Sequence, residues 1–109
     1  MAGYYVLKRS GTQFMFVLKG GNGETILTSE RYVNKQGAES GIASCKVNSA
    51  FDARYARRTS SANQPYFVLR GGNNEVIGTS EMYSSTTAME NGIASCKANG
   101  PTAPIRDET

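Results

Sequence analysis

The chain contains an internal repeat, and this repeat restricts its fold more than any other feature of the sequence. The segment 16–48 returns as segment 67–99, displaced by 51 residues with no insertion or deletion. The block GIASCK, for example, occupies 41–46 and again 92–97. A repeated unit of this kind typically cannot bury its apolar face alone and covers it with a second copy. The sequence therefore predicts a single domain, 1–109, in which repeat 1 (1–50) and repeat 2 (51–109) share one sheet.

Length and charge agree with one modest soluble domain. A chain of 109 residues buries roughly 60 to 70% of its unfolded surface, which supports one core better than two. Twelve Lys and Arg against nine Asp and Glu leave a net charge of +3, far weaker than the basic stripe typical of nucleic-acid binding. No basic segment precedes a long apolar run, and no stretch approaches about 18 apolar residues. We expect a cytoplasmic protein that does not enter the membrane.

Three strands are predicted at the start of each repeat. Segments 4–9 and 14–19 are rich in aromatic and β-branched residues, and the break at 10–12 indicates a hairpin turn. A three-residue turn, 21–23, leads to the third strand if Gly23 is left-handed, and its counterpart Asn74 tolerates the same conformation. This register pairs Leu18 with Ile26. It places these residues on the core face: Phe16, Leu18, Ile26, Phe67, Leu69 and Ile77.

A helix follows the strands in each repeat. The polarity period lengthens beyond the third strand, with Asn34 and Ser85 as N-caps and ends near 48–49 and 99–100. Gly41 and its partner in repeat 2 each cost about 1 kcal/mol relative to alanine inside a helix, so we expect a close packing contact there. The predicted buried stripe comprises Ala38, Ile42, Cys45, Ala88, Gly92, Ile93 and Cys96.

The resulting fold class is α+β. Tandem β-β-β-α(-β) repeats form one continuous antiparallel-rich sheet with two helices on one face and internal pseudo-twofold symmetry, because one three-stranded unit with a single helix is marginal alone. Segment 51–58 is expected to be one strand that closes the first unit and opens the second. The tail, 101–109, is expected to supply a last strand, which Pro101 and Pro104 confine to a sheet edge.

The repeated motif resembles the YegP-like family of small bacterial proteins. The resemblance rests on FVLK at 16–19, NGETILTSE at 22–30, GIAS at 41–44 and EVIGTSEMY at 75–83. It covers nearly the whole chain and implies a β3-α-β unit, doubled, in a single sheet with exchanged C-terminal strands. It also implies that no activity is established. Relatives often have an aliphatic residue, commonly valine, where this chain has Cys45 and Cys96.

The residue inventory removes most catalytic chemistry. With no histidine, neither a nucleophile activated by histidine nor a histidine-based metal site is available. Cys45 and Cys96 are either a disulfide or redox pair, or small buried hydrophobes, and we favour the second. Two cysteines do not make a four-ligand zinc site. The Gly-Gly-Asn turns precede strands instead of helices, so they are not phosphate loops. We predict no catalytic residue, no metal and no cofactor.

A polar motif is repeated where each third strand ends. One interpretation is a duplicated polar site with Glu30 and Glu81 near helix N-termini. The other is structural: the carboxylates accept hydrogen bonds from the first helical amides and the hydroxyls bond across strands. We favour the structural interpretation. The motif comprises Thr28, Ser29, Glu30, Tyr32, Thr79, Ser80, Glu81 and Tyr83.

Three classes of function remain open. The first is a non-catalytic interaction or structural module that uses the helix-free sheet face, on which we also place Leu27. The second is weak nucleic-acid binding through basic and aromatic side chains. An enzyme of unknown type is the least supported. We expect a monomer with an unidentified partner. The candidate surface comprises Val17, Lys19, Arg54, Arg57, Arg58, Tyr66, Val68 and Arg70.

Overall fold

The computed structural model of the chain describes residues 2–109, and its elements follow the repeat. Repeat 1 contains β1 (Tyr4–Ser10), β2 (Gln13–Lys19), β3 (Thr25–Ser29) and α1 (Lys35–Asn48). After a short 3-10 turn, Asp52–Arg54, come β4 (Tyr55–Thr59), β5 (Pro65–Arg70), β6 (Val76–Ser80), α2 (Thr86–Asn99) and β7 (Ile105–Asp107). Neither helix in this part of the chain is long and apolar enough to cross a membrane. The α+β class is confirmed.

The two repeats join edge to edge in one seven-stranded sheet of order β4-β5-β6-β3-β2-β1-β7. The junction is the antiparallel pair β3–β6, in which Thr28 lies opposite Thr79, its own partner in the repeat. A pseudo-twofold axis therefore passes between these two residues. Neighbouring strands are antiparallel except at β1–β7, where the pairing is parallel.

The last strands differ in part from the prediction. We expected segment 51–58 to close the first unit and open the second, but β4 pairs only with β5 and lies at the far edge. The reason is the β3–β6 junction, which places repeat 2 beside β3 and leaves its first strand outermost. The edge at β1 is covered by β7 from repeat 2, as expected of a proline-bordered edge strand. This is the exchanged strand that the resemblance implied.

The turn before each third strand has the predicted backbone, but the register is shifted. Gly23 and Asn74 have φ of +81° and +68°. Leu18 pairs with Leu27 instead of Ile26, because a β-bulge after Leu18 adds one residue to β3. The bulge lets Ile26 and Leu27 both reach the core, where both are buried. The predicted core residues are all buried, although the predicted pairing was wrong.

The central strand pair breaks the symmetry of the repeat at Leu27. Its counterpart is Gly78, which lies on the neighbouring strand β6. A methyl group at Gly78 would approach Leu27 Cγ to 2.8 Å. The leucine therefore occupies the space next to the axis that a second side chain would need. Leu27 belongs to the helix side of the sheet, so its placement on the helix-free face was wrong.

Both helices pack on the same face of the sheet and share one hydrophobic core with residues from both repeats. Asn34 Oδ1 accepts from the Gly37 amide at 2.7 Å, and Ser85 Oγ accepts from the Ala88 amide at 3.1 Å, so both predicted N-caps are confirmed. In the first turn of α2, Met89 is buried, whereas the predicted Ala88 is only half-buried. Met89 is the true repeat partner of Ala38, so Ala88 was wrongly placed in the stripe, whereas Ile93 and Cys96 are buried as predicted.

The first strands of the repeats align with a displacement one residue shorter than the rest. In repeat 1, the paired residues Arg9 and Phe14 are joined by segment 10–13. In repeat 2, the paired residues Thr59 and Pro65 are joined by segment 60–64, which is one residue longer. Tyr5 pairs with Leu18 and Tyr55 with Leu69. These two tyrosines are therefore structural equivalents.

Candidate interaction surface on the helix-free sheet face

The sheet face opposite the helices carries one continuous row of paired residues. Strand pairing links one residue from each strand, and the two central members are the threonines on the pseudo-twofold axis. Because side chains alternate along a strand, positions two residues away share this face. The row comprises Ala56, Val68, Thr79, Thr28, Val17, Val6 and Arg106.

The valines of this row are almost completely buried although no helix covers them. Val6, Val17 and Val68 are only 6%, 5% and 6% exposed. The flanking positions on the same face carry half-buried long side chains, which can cover neighbouring apolar surface with their stems. The accessible surface is thus made of these longer side chains and not of valine. They are Tyr4, Lys8, Met15, Lys19, Tyr66 and Arg70.

Charge is separated between the two sides of the sheet. Asp107 is the one acidic residue within the seven described strands, and it forms an ion pair at 2.6 Å with Lys35 of α1. On the opposite side, within residues 2–109, no ion pair involves the strand cations. The helix-free face is therefore positively charged and lacks strand carboxylates. Its cations are Lys8, Lys19, Arg58, Arg70 and Arg106.

The structure does not bring the predicted arginines together. Arg58 pairs with Tyr66 and belongs to the helix-free face, whereas Arg57 pairs with Phe67 on the helix side. Arg57 Nε is 2.6 Å from Glu90 Oε2 of α2, and a terminal nitrogen is 2.9 Å from Asp52 Oδ1. The prediction of one shared basic surface was wrong for Arg57, because alternation along β4 sends neighbouring side chains to opposite faces.

The ion pairs around Asp52 hold the start of β4 to α2. Lys97 Nζ lies 2.7 Å from Asp52 Oδ1. Hydrogen bonds from Lys97 and Arg57 lower the pKa of Asp52 to about 2, and Arg57 lowers the pKa of Glu90. These charges are satisfied within the protein and do not contribute to an open basic surface.

Hydroxyl groups of the repeated polar motif bond across strands, as the structural interpretation expected. Ser29 Oγ accepts from the Phe16 amide at 2.9 Å and donates to the Glu30 carbonyl at 2.7 Å. Ser80 makes the same two bonds, at 2.9 and 2.8 Å, to the Phe67 amide and the adjacent Glu81 carbonyl. The serine thus bridges β2 to the end of β3, and its counterpart does so in repeat 2.

The tyrosines of the motif explain the helix glycines. Tyr32 stacks on Phe16 with ring centroids 6.4 Å apart. In repeat 2, Tyr83 stacks on Phe67 at the same distance. A methyl group at Gly41 would meet the Tyr32 hydroxyl and approach its Cζ to 2.7 Å. Gly92 has the same relation to Tyr83. The expected close packing contact exists, and the helix makes it with a tyrosine ring.

The glutamates of the motif neither cap the helices nor form one site. The N-cap oxygens come from other residues, so the expected bonds from Glu30 and Glu81 to helical amides are wrong. Because β3 and β6 are antiparallel, the two carboxylates lie beyond opposite ends of their pairing. Glu81 lines a groove of about 910 Å³ between the β2–β3 turn and α2, and Glu30 does not.

Both cysteines are free and buried in the core. Burial raises the pKa of Cys45 to about 12 and that of Cys96 to about 11. Burial also raises the pKa of Tyr5 and Tyr55, each of which neighbours one of the thiols. The hydroxyl groups of these tyrosines donate to main-chain carbonyls of the helix C-caps. Tyr5 donates to Gly100 at 2.7 Å and Tyr55 to Ser49 at 2.7 Å. The favoured structural interpretation of the thiols agrees with this environment.

We expect the thiols to resist modification in the folded protein. At about pH 8 a bulky disulfide reagent should label both cysteines slowly, and rapidly after denaturation, because burial limits access and disfavours the reactive thiolate. Cys45→Val and Cys96→Val should preserve the fold and assign each labelling phase. Cys45→Gly should lower the free energy of unfolding by about 1 to 3 kcal/mol. Rapid labelling of the native protein would instead support a redox role.

The chain is similar to known proteins along its whole length. The model of a family described as a domain of unknown function, DUF1508, matches twice, at residues 10–55 and 60–107. A UPF0339 protein of Bordetella pertussis is 56% identical over 109 residues, covering 100% of this chain and 98% of the relative. YegP of Escherichia coli K12 is 51% identical over 110 residues, covering 100% of both chains.

Two solved structures share this architecture. The solution NMR structure of a UPF0339 protein from Shewanella oneidensis has a TM-score of 0.92 at 53% identity and covers 98% of this chain and 92% of its own. That of YegP from E. coli, described as a protein of unknown function, has a TM-score of 0.93 at 51% identity, covering 100% and 95%.

Proposed function

Because the chain belongs to the DUF1508 family, whose function is unknown, we propose a role from its own surface: a non-catalytic interaction module that binds an acidic protein partner on the helix-free sheet face. The observation that carries this proposal is the separation of charge across the sheet. Strand cations on that face have no carboxylate beside them in the strands, while three helix-side cations, Lys35, Arg57 and Lys97, are paired with Asp107, Asp52 and Glu90.

The reactive residue types support a non-catalytic role. The chain has no histidine, and its two thiols are buried with raised pKa values. Glu30 and Glu81 lie at opposite ends of the central strand pair and do not share a groove. A general acid and base must both reach the same substrate atoms. These carboxylates are too dispersed to act as such a pair.

The shape and chemistry of the face support an acidic protein as the partner. Its valines are shielded, so a purely apolar partner would find little exposed hydrocarbon. Cationic ends at the flanking positions complement carboxylates, and complementary potentials speed and orient protein association. We also propose that the protein acts as a cytoplasmic monomer, in which the second repeat covers the sheet edge that a partner subunit would otherwise supply.

Charge reversal on the face should weaken partner binding. We expect Lys19→Glu or Arg58→Glu to reduce retention of a co-purifying protein from the native host by about tenfold or more, since opposed like charges are costly. Lys46→Glu is the matched control, because it makes the same charge change on α1, on the other side of the sheet. Titration of the recovered partner by calorimetry would measure each affinity. Equal losses for all three variants would show that the face is not the binding surface.

Single-stranded nucleic acid is a second candidate, supported by Arg58 lying directly opposite Tyr66. A cation beside an aromatic ring suits a phosphate and a stacked base. The other tyrosine of the face is less available, because the Arg106 guanidinium lies 3.8 Å from the Tyr4 ring centroid. Nucleic-acid affinity that falls steeply with salt and disappears in Arg58→Glu would favour this candidate over a protein.

A further inference from the structure

A small polar cleft lies where β4 begins, beside the β5–β6 turn. Its volume is about 120 Å³. Two arginines of repeat 2, Arg54 and Arg70, line it together with Gly71 and Asn74 of the turn. The remaining wall residues are Ala53, Tyr55 and Ala56, so the lining within the described chain contains two guanidinium groups and no carboxylate.

The Arg54 guanidinium is held in place by the end of α1. Arg54 Nε donates to Asn48 Oδ1 at 3.1 Å, and Asn48 Nδ2 donates in turn to the Ser44 carbonyl at 2.8 Å. A terminal nitrogen of Arg54 also lies beside Gly72, 3.5 Å from the point that a methyl group on that glycine would occupy. The arginine fork is therefore positioned before any ligand arrives, which reduces the entropy lost on binding.

Arg70 contributes a buried donor that the protein does not satisfy. Its Nε is shielded from solvent and makes no hydrogen bond within residues 2–109. A buried donor on a charged group is costly without an acceptor. Arg70 also forms no ion pair with a described carboxylate. The cleft thus combines two positive charges with room for a small ligand, and the buried Nε of Arg70 makes no hydrogen bond of its own.

We propose that this cleft binds the phosphate group of a small ligand or of a nucleic acid. Guanidinium groups bind phosphate oxygens through paired, charge-assisted hydrogen bonds. A cleft of about 120 Å³ has room for one tetrahedral oxyanion. The inference does not rest on the acidic protein partner. Arg54 and the β5–β6 turn lie outside the proposed partner surface, and of the two arginines Arg70 alone belongs to both.

Repeat 1 lacks this arrangement and supplies an internal comparison. Asn99, the counterpart of Asn48, accepts the main-chain N–H of Gly3 at 2.9 Å in place of an arginine. Opposite Lys19, the counterpart of Arg70, stands Tyr4. Where repeat 2 has Arg54 and Arg70, repeat 1 therefore has Tyr4 and Lys19.

Titration with inorganic phosphate at constant ionic strength, followed by amide resonances in NMR spectra, tests the cleft. We expect saturable shifts at Gly71 and Asn74, and affinity reduced about tenfold or more in Arg54→Gln and in Arg70→Gln. Lys19→Gln removes the same charge in repeat 1 and should bind phosphate like the unaltered protein. Dispersed spectra of all variants would establish that they are folded.

The outcomes separate a built site from general attraction of anions. Shifts that do not saturate, or an equal loss in Lys19→Gln, would overturn the proposal. A short oligothymidylate that moves the same resonances, binds more tightly than phosphate and is lost in Arg54→Gln would identify a nucleic-acid backbone as the source. Binding of phosphate without the oligonucleotide would identify a free phosphate or a monoester. Arg58→Glu should retain phosphate binding, so failure of the proposed partner surface would be distinguishable.

Discussion

Separating the repeats between α1 and Phe51 is expected to leave neither half folded as a monomer. The cut removes the β3–β6 junction and exposes an unpaired edge at the centre of the sheet. The core would also be divided, because residues of both repeats form one hydrophobic cluster. A three-stranded sheet with one helix is marginal by itself. The expected effect is the loss of the whole folding transition of each isolated half at low concentration.

Circular dichroism and sedimentation of the 1–50 and 51–109 polypeptides, with the intact chain as the control, would test this expectation. A half that folds only as a dimer would agree with it, since a second copy of β3 can take the place of β6 about the pseudo-twofold axis. The intact chain should sediment as a monomer. A half that remains a folded monomer would show that the repeats are independent domains.

Gly41→Ala is expected to lower the free energy of unfolding by about 1 to 3 kcal/mol, although alanine is the better helix former. Helix propensity alone predicts a gain of about 1 kcal/mol. The added methyl group would collide with the Tyr32 ring and lie 3.1 Å from Phe16 Cε2. The steric term should exceed the propensity term because the tyrosine is stacked on the buried phenylalanine.

The sign of the effect should reverse when the tyrosine is removed. In a Tyr32→Ala background, Gly41→Ala should stabilise the protein by up to about 1 kcal/mol, since helix propensity is then opposed only by the 3.1 Å approach to Phe16 Cε2. Urea unfolding of the four proteins of this cycle would measure the coupling. Gly92→Ala with Tyr83→Ala repeats the test in α2, where the same collision is present. A stabilising Gly41→Ala in the unaltered background would show that the ring moves aside at little cost.

The repeat made much of the fold predictable. Apolar periodicity identified the third strand and the helix of each repeat. The capping residues Asn34 and Ser85 located the start of each helix. The register of β3 was not predictable, because a β-bulge lets Ile26 and Leu27 both enter the core. Either register satisfies the alternation of the sequence, and packing decides between them. The same holds for Met89, which neighbours the predicted Ala88.

The candidate surface was predictable only in strands whose core-facing residues could be recognised from the sequence. The core faces of β2 and β5 are evident from the phenylalanine and leucine in each strand. The residues that alternate with them, Val17, Lys19, Val68 and Arg70, must therefore lie on the opposite face. The arginines of β4 had no such reference, since the connection to β5 is one residue longer than its counterpart in repeat 1. A shift of one residue moves every side chain to the other face.

The sequence alone determined that the chain folds as two like units, with three strands and a helix in each, because these follow from local periodicity, turn and capping chemistry. Only the tertiary structure decided which edges meet, that Leu27 fills the space left by Gly78, and which cations remain without a carboxylate. Those features depend on contacts between residues far apart in the chain. Local pattern carries no information about which distant side chain will occupy a shared space.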